Sequence, residues 1–179
     1  MKYALCSTAL FCGLFTFGAT AQQGNEASRM KSPDSTFVTK AAQGGMAEVE
    51  LGTLATQRAS NQKVKDFGQK MVDDHSKANE ELKALASQKG VQLPTAIDAK
   101  SQAMKTRLTG LQGAAFDRAY MQHMVTDHEH DVAEFQKEAD HGADPDVKNF
   151  AAKTLPTLQG HLKMAQDTLG DVKSAPAKQ

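Results

Sequence analysis

The sequence predicts an all-α protein, an antiparallel four-helix bundle with a crossover that contains a short helix between the second and third long helices. Three observations carry this prediction. Four stretches place apolar residues at alternating steps of three and four, the spacing that lines one face of an α-helix. Only a few polar or turn-forming residues separate the first stretch from the second and the third from the fourth, so each pair should fold back as a hairpin. The connection between the two pairs, residues 91–112, is long enough to travel the length of a bundle.

The chain opens with Met1, Lys2 and Tyr3, then an uncharged run over residues 4–17 and Ala19-Thr20-Ala21, which predicts a secretory signal peptide cleaved after Ala21. Its apolar run is short for a membrane span, and no later stretch approaches the ~20 apolar residues that a span needs. Both cysteines, Cys6 and Cys12, fall inside this leader, so the exported part has no thiol for pairing or for metal. Residues 22–33 read as a flexible lead-in, 34–172 as one helical domain, and 173–179 as a tail. The whole chain has 21 basic and 21 acidic residues, and loss of Lys2 leaves 20 and 21. Such a balance creates no field to draw nucleic acid or an anionic membrane. Phosphate-binding glycine loops, a dinucleotide fingerprint and a serine elbow are all absent from the sequence.

The first helix is predicted to start at Ser32 or Asp34, both competent caps, and to run to about residue 59. Its face is Phe37, Ala41, Gly44, Glu48, Leu51 and Ala55. Gly44, Gly45 and Gly52 inside it cost up to ~1 kcal/mol each against Ala, which fits either a close helix contact or simple tolerance. Ser60 is the expected cap of the second helix, whose face is Val64, Gly68, Met71, His75, Ala78, Leu82 and Leu85, and Lys89-Gly90 is its expected end. In the crossover, Pro94 and a capping Thr95 precede a short helix over about residues 96–108. Gly110 and Gly113 mark the start of the third helix, over about residues 114–140, with the face Met121, Val125, His128, Val132, Phe135 and Ala139. The fourth begins at Asp144-Pro145-Asp146 and carries Val147, Ala151, Thr154, Leu158, His161, Ala165 and Thr168. Pro156 inside it removes one backbone bond and should bend the helix ahead of His161. No internal repeat is evident beyond the shared spacing.

Each apolar face contains one side chain able to bind metal: Glu48, His75, His128 and His161. Glu48 lies 14 residues after Asp34, His75 15 after Ser60, His128 14 after residue 114, and His161 16 after Pro145. At ~1.5 Å per residue these depths agree within about one turn, so the four should meet at the waist of the bundle. A lone carboxylate in an apolar waist costs several kcal/mol, so Glu48 must be paired, protonated or bound to metal. Three imidazoles and a carboxylate suit Zn, Cu, Mn or Fe. Asp74 and Asp131 flank the faces as further ligands or as acceptors for imidazole N–H groups, and Tyr120 can add a phenolic hydrogen bond. The competing reading is a metal-free polar knot that fixes helix register. His123, Asp127, His130 and Glu134 form a second stripe on the third helix, read as a solvated face, and His141 is read as incidental.

The segments FVTKAAQGGMAEVELGTLA, VKDFGQKMVDDH, FDRAYMQHMVTDHEHDVAEF and TLPTLQGHL resemble a large family of secreted bacterial proteins of unknown function, often labelled outer-membrane proteins and ferritin-like in fold. The resemblance spans about residues 34–172 and implies a helical bundle, with no established reaction to carry over. Ferritin-like di-iron proteins use Glu-x-x-His motifs. Here the residues three before His75, His128 and His161 are Val72, Val125 and Leu158, which puts ferroxidase chemistry in doubt. The sequence thus leads to an exported helical protein that binds a transition metal at its waist, in metal handling or stress protection. The alternative is a non-catalytic envelope or interaction module with a structural Glu/His core.

Overall fold

The structure, a computed structural model, describes residues 32–174. The expected signal peptide, its cleavage site and most of the lead-in lie outside the described residues, as does the end of the tail. Five helices and no strands make up the described residues: α1 (Ser32–Arg58), α2 (Gln62–Gln88), α3 (Ala99–Thr109), α4 (Gly113–His141) and α5 (Pro145–Ser174). α1 opens at Ser32, the earlier of the two starts expected, and Lys173 and Ser174, expected in the tail, close α5. α1 packs on α2 and α4 on α5; contacts of α2 with α5 and of α1 with α4 bring the two hairpins together, and α3 lies over α1 and α4.

Local chemistry explains the ends of the helices. The cap of α2 is Asn61, whose side chain accepts from the Lys63 N–H, and not the expected Ser60. α3 is capped by Asp98 through the N–H groups of Lys100 and Ser101, so it starts later than a Thr95 cap would allow. α2 stops as expected: Gly90 takes φ +66°, its N–H donates to the Ser87 carbonyl, and Val91 N–H reaches back to Ala86. Asp144 caps α5 by accepting from Asp146 and Val147 N–H, and the helix continues through Pro156.

Both tight loops are clamped from the opposite hairpin. Asp117 on α4 is buried and accepts from the backbone N–H groups of Ser60 and Asn61 and from the Ser60 hydroxyl. Asp34 on α1 is equally buried and accepts from Ala143 and Asp144 N–H. The correspondence extends into the sequence: Val64-Lys65-Asp66-Phe67-Gly68 after one loop matches Val147-Lys148-Asn149-Phe150-Ala151 after the other, and Phe37 and Tyr120 each follow a clamping Asp by three. The two hairpins therefore repeat one plan, which helical spacing alone had not disclosed.

Two of the glycines mark a close helix crossing. A Cβ on Gly52 would stand 2.6 Å from the Gly68 carbonyl oxygen, and one on Gly68 would stand 2.8 Å from the Gly52 carbonyl oxygen, so α1 and α2 meet backbone to backbone. Apolar side chains form two clusters, one including Leu51, Phe67, Met71, Phe116 and Met124, the other Phe37, Leu82, Phe135, Phe150 and Leu158. Glu48, His75, His128 and His161 occupy the level between them on their helices, all buried.

Candidate metal centre

The level between the clusters brings three histidines from three helices together: His75 from α2, His128 from α4 and His161 from α5. One ring nitrogen of each lies within 4.8 Å of the others. The ring centroids are 5.4 Å apart for His161 with either of the others and 5.9 Å for His75 with His128. All three rings are buried.

Hydrogen bonds orient two of them. His128 Nδ1 lies 2.9 Å from the Met124 carbonyl oxygen, which can only accept, so Nδ1 carries the proton and Nε2 the lone pair. His161 Nε2 lies 2.7 Å from Asp74 Oδ2 and donates to that carboxylate, leaving the lone pair on Nδ1. The buried ring nitrogens without a protein partner are His75 Nε2, His128 Nε2 and His161 Nδ1. In His128 and His161 the unpartnered atom is thus the lone-pair nitrogen. Burial, reinforced by the neighbouring rings, pushes His75 down to about 3. Burial also takes His128 down to about 4, with His161 as the next cause. His161 is lowered by burial too, against the opposing pull of Asp74. The trio is therefore neutral at pH 7, the state in which imidazole binds metal.

Asp74 is half-buried and bridges His161 to Lys70, whose Nζ is 2.9 Å away. Burial works to raise its carboxyl, but the hydrogen bonds from His161 and Lys70 outweigh it and hold Asp74 below the ordinary value. Glu48 occupies a different position from the trio. Its Oε1 is 3.9 Å from His128 Nδ1, the ring edge already turned to the Met124 carbonyl, and both of its oxygens are buried without a partner. Burial first, then the charges of Asp127 and Asp131, raise Glu48 well above the ordinary carboxylate range. Tyr120 is fully buried, stacked on Phe116 at 5.7 Å and edge-on to Phe67 at 6.1 Å, with its hydroxyl unpartnered. Burial and the Glu48 charge raise that hydroxyl.

The model of a domain of unknown function, DUF4142, matches residues 19–168. The chain belongs to the DUF4142 family. Solved structures of similar fold include a DUF305 fragment from Deinococcus radiodurans, at TM-score 0.71 and 18% identity, covering 80% of this chain and 99% of that one. Another is a DUF305 protein from Streptomyces coelicolor, described as secreted, at TM-score 0.67 and 13% identity, covering 86% of this chain and 99% of that one. At these identities the likeness speaks to the fold alone. No curated protein matches this DUF4142 chain.

The stripe read as a solvated face on α4 is only partly so. His130 is exposed, but His123, Asp127 and Glu134 are half-buried, because α3 and the crossover cover that side of the helix. These side chains line a cavity of about 340 Å³ together with Asp131 and Asp98. Burial lowers His123 and raises Asp131 to about 7, the latter with help from Asp127 and Glu134. Asp127 was missed as a neighbour of the waist. Its position seven residues after Tyr120 and four before Asp131 was the available signal, since side chains four apart stack on one helix face. His141 is exposed in the last turn of α4.

Proposed function

We propose that this DUF4142 domain is an exported four-helix bundle, ferritin-like in its single crossover, that binds one transition-metal ion through His75, His128 and His161 and serves in metal handling or stress protection. The observation that carries the reading is the set of three buried, mutually close imidazoles, each with a ring nitrogen that no protein group satisfies. Leaving such an atom buried and unpaired costs about 1–3 kcal/mol, and a shared metal ion removes the cost at all three. Metal–nitrogen bonds of about 2.0–2.1 Å place tetrahedral donors about 3.4 Å apart, so nitrogens within 4.8 Å of one another close on an ion by small side-chain movements. Asp74 plays the part of the carboxylate that orients a ligating histidine. Imidazole donors suit Zn, Cu or Fe over Mg or Ca. Glu48, which the sequence grouped with the histidines, is assigned here to the far edge of His128, leaving the fourth position to water or an incoming donor. Export accords with the leader read in the sequence and with the secreted neighbour of like fold.

The test is titration calorimetry of untagged, chelator-treated protein with Zn²⁺, Cu²⁺, Mn²⁺ and Fe²⁺. One ion per chain should bind, and His128→Gln should weaken it at least tenfold while leaving the helical signal intact. Wild-type protein indifferent to all four ions would return the waist to a purely structural polar core.

A further inference from the structure

We infer that the gap left by Gly44 in α1 is a passage from the cavity under α3 to His75, and that it admits a neutral molecule of one or two non-hydrogen atoms to the histidine centre. The inference deepens the metal reading and rests on it for what the passage serves. The first ground is continuity. The cavity of about 340 Å³ between α1, α3 and α4 adjoins an inner cavity of about 30 Å³, and Ala41, Gly44, Asp131 and Phe135 stand in the walls of both. Of these four, Gly44 alone has no side chain, and a Cβ placed on it would meet nothing within 4 Å. At the next position a Cβ on Gly45 would stand against the Asn79 amide, so the wall is closed there and open at Gly44. The cost of up to ~1 kcal/mol that a glycine carries inside a helix thus has a use at Gly44.

The second ground is what the passage reaches. His75 stands in the wall of the inner cavity, is only 6% exposed, and its Nε2 has no protein partner. A cavity of about 460 Å³ between α2 and α5 approaches the centre from the other side, but it meets His161, whose Nε2 is already tied to Asp74 and through it to Lys70. The third ground is size and charge. The inner cavity, at about 30 Å³, exceeds the ~10–15 Å³ that one water needs, so it holds a molecule of one or two non-hydrogen atoms and excludes a hydrated metal ion. Asp127 and Glu134 line the outer cavity and Asp131 its neck, and these acids repel an anion. Water and dioxygen satisfy both limits.

The test has a metal-free arm and a metal-loaded arm, both on the mature chain. In the first, nuclear magnetic resonance under oxygen pressure reads the paramagnetic broadening that dissolved dioxygen causes. The His75 ring and the Ala41 methyl should broaden well beyond Phe116, which is equally buried but lines neither cavity, and this comparison needs no variant. Gly44→Leu, which fills the gap and raises helix propensity, should remove more than half of the His75 broadening at unchanged helical content. Gly160→Leu, the same change in the wall of the α2–α5 cavity and again with nothing within 4 Å of its Cβ, should leave it at the wild-type level. Broadening of His75 no greater than of Phe116, or broadening lost in Gly160→Leu and kept in Gly44→Leu, would overturn the inference. In the second arm, Cu²⁺-loaded protein should speed the relaxation of water protons through exchange at the open fourth position, and Gly44→Leu should suppress this by more than half. Suppression absent in Gly44→Leu would also overturn the inference, since the passage would not serve the centre. Protein that retains no Cu²⁺ would count against the metal reading, and the dioxygen arm alone would then decide the passage.

Discussion

Replacing Asp117 by Ala removes the clamp on the α1–α2 loop. Three hydrogen bonds to a buried carboxylate are lost, from Ser60 N–H, Asn61 N–H and the Ser60 hydroxyl. Hydrogen bonds to charged groups contribute about 1.5–3 kcal/mol each, and the low end applies because exposed Ser60 can turn to water. The expected loss is therefore about 4–5 kcal/mol, a large share of the ~5–15 kcal/mol typical of a domain. Asp117→Asn keeps one acceptor oxygen but turns its NH2 toward one of the two backbone donors, so about 1–2 kcal/mol should be lost. Asp34→Ala breaks only two bonds and relieves Glu138, which burial and the Asp34 charge hold above its ordinary value, so its loss should be about 1–2 kcal/mol. Urea unfolding of the metal-free protein reads these values as shifts in midpoint at constant slope. A cost for Asp117→Ala no larger than for Asp73→Ala, or smaller than for Asp34→Ala, would refute the reasoning.

The close crossing of α1 and α2 predicts opposite outcomes for two glycines. Gly52→Ala forces its methyl against the Gly68 carbonyl and should cost about 1–3 kcal/mol, whereas Gly160→Ala, with nothing within 4 Å, should gain up to ~1 kcal/mol of helix propensity; thermal melts separate them. The buried histidines set a pH dependence in the metal-free protein. Their folded values, about 3 for His75 and about 4 for His128, lie below the unfolded ~6.5, so the unfolded chain binds more protons and stability falls as pH drops from about 6.5 toward 4. Asp131, raised to about 7, acts in the opposite sense: its contribution is present at low pH and lost as pH rises from about 4 through 7. Asp131→Asn should therefore steepen the acid loss, and urea midpoints that fall no more steeply than in wild type between about pH 7 and 5 would contradict these assignments.

The long helices and the burial of Glu48, His75, His128 and His161 were legible because a 3.6-residue period and equal depth are written directly in the spacing. Caps were less so: Ser60 and Asn61 are both competent, and only the pull of Asp117, 57 residues away from Ser60, draws Ser60 out and leaves Asn61 to cap. Equal depth also could not say on which edge of His128 a side chain would arrive. Glu48 shares the level of the histidines but arrives at the Nδ1 edge of His128, 3.9 Å away, and not among the close ring nitrogens. The half-buried state of His123 and Asp127 depends on where the crossover lies, a tertiary fact that the period of α4 does not contain. The repeat of the two hairpins was present in the VKDFG and VKNFA segments, and the clamps Asp34 and Asp117 give it a physical meaning.

The measurement that bears most directly on the metal centre is X-ray absorption at the Zn edge of protein loaded with one equivalent of Zn²⁺ and dialysed. Three imidazole nitrogens at about 2.0–2.1 Å are expected, falling to two in His128→Gln. An oxygen-only shell, or no Zn²⁺ retained after dialysis, would contradict the assignment of His75, His128 and His161 as its ligands.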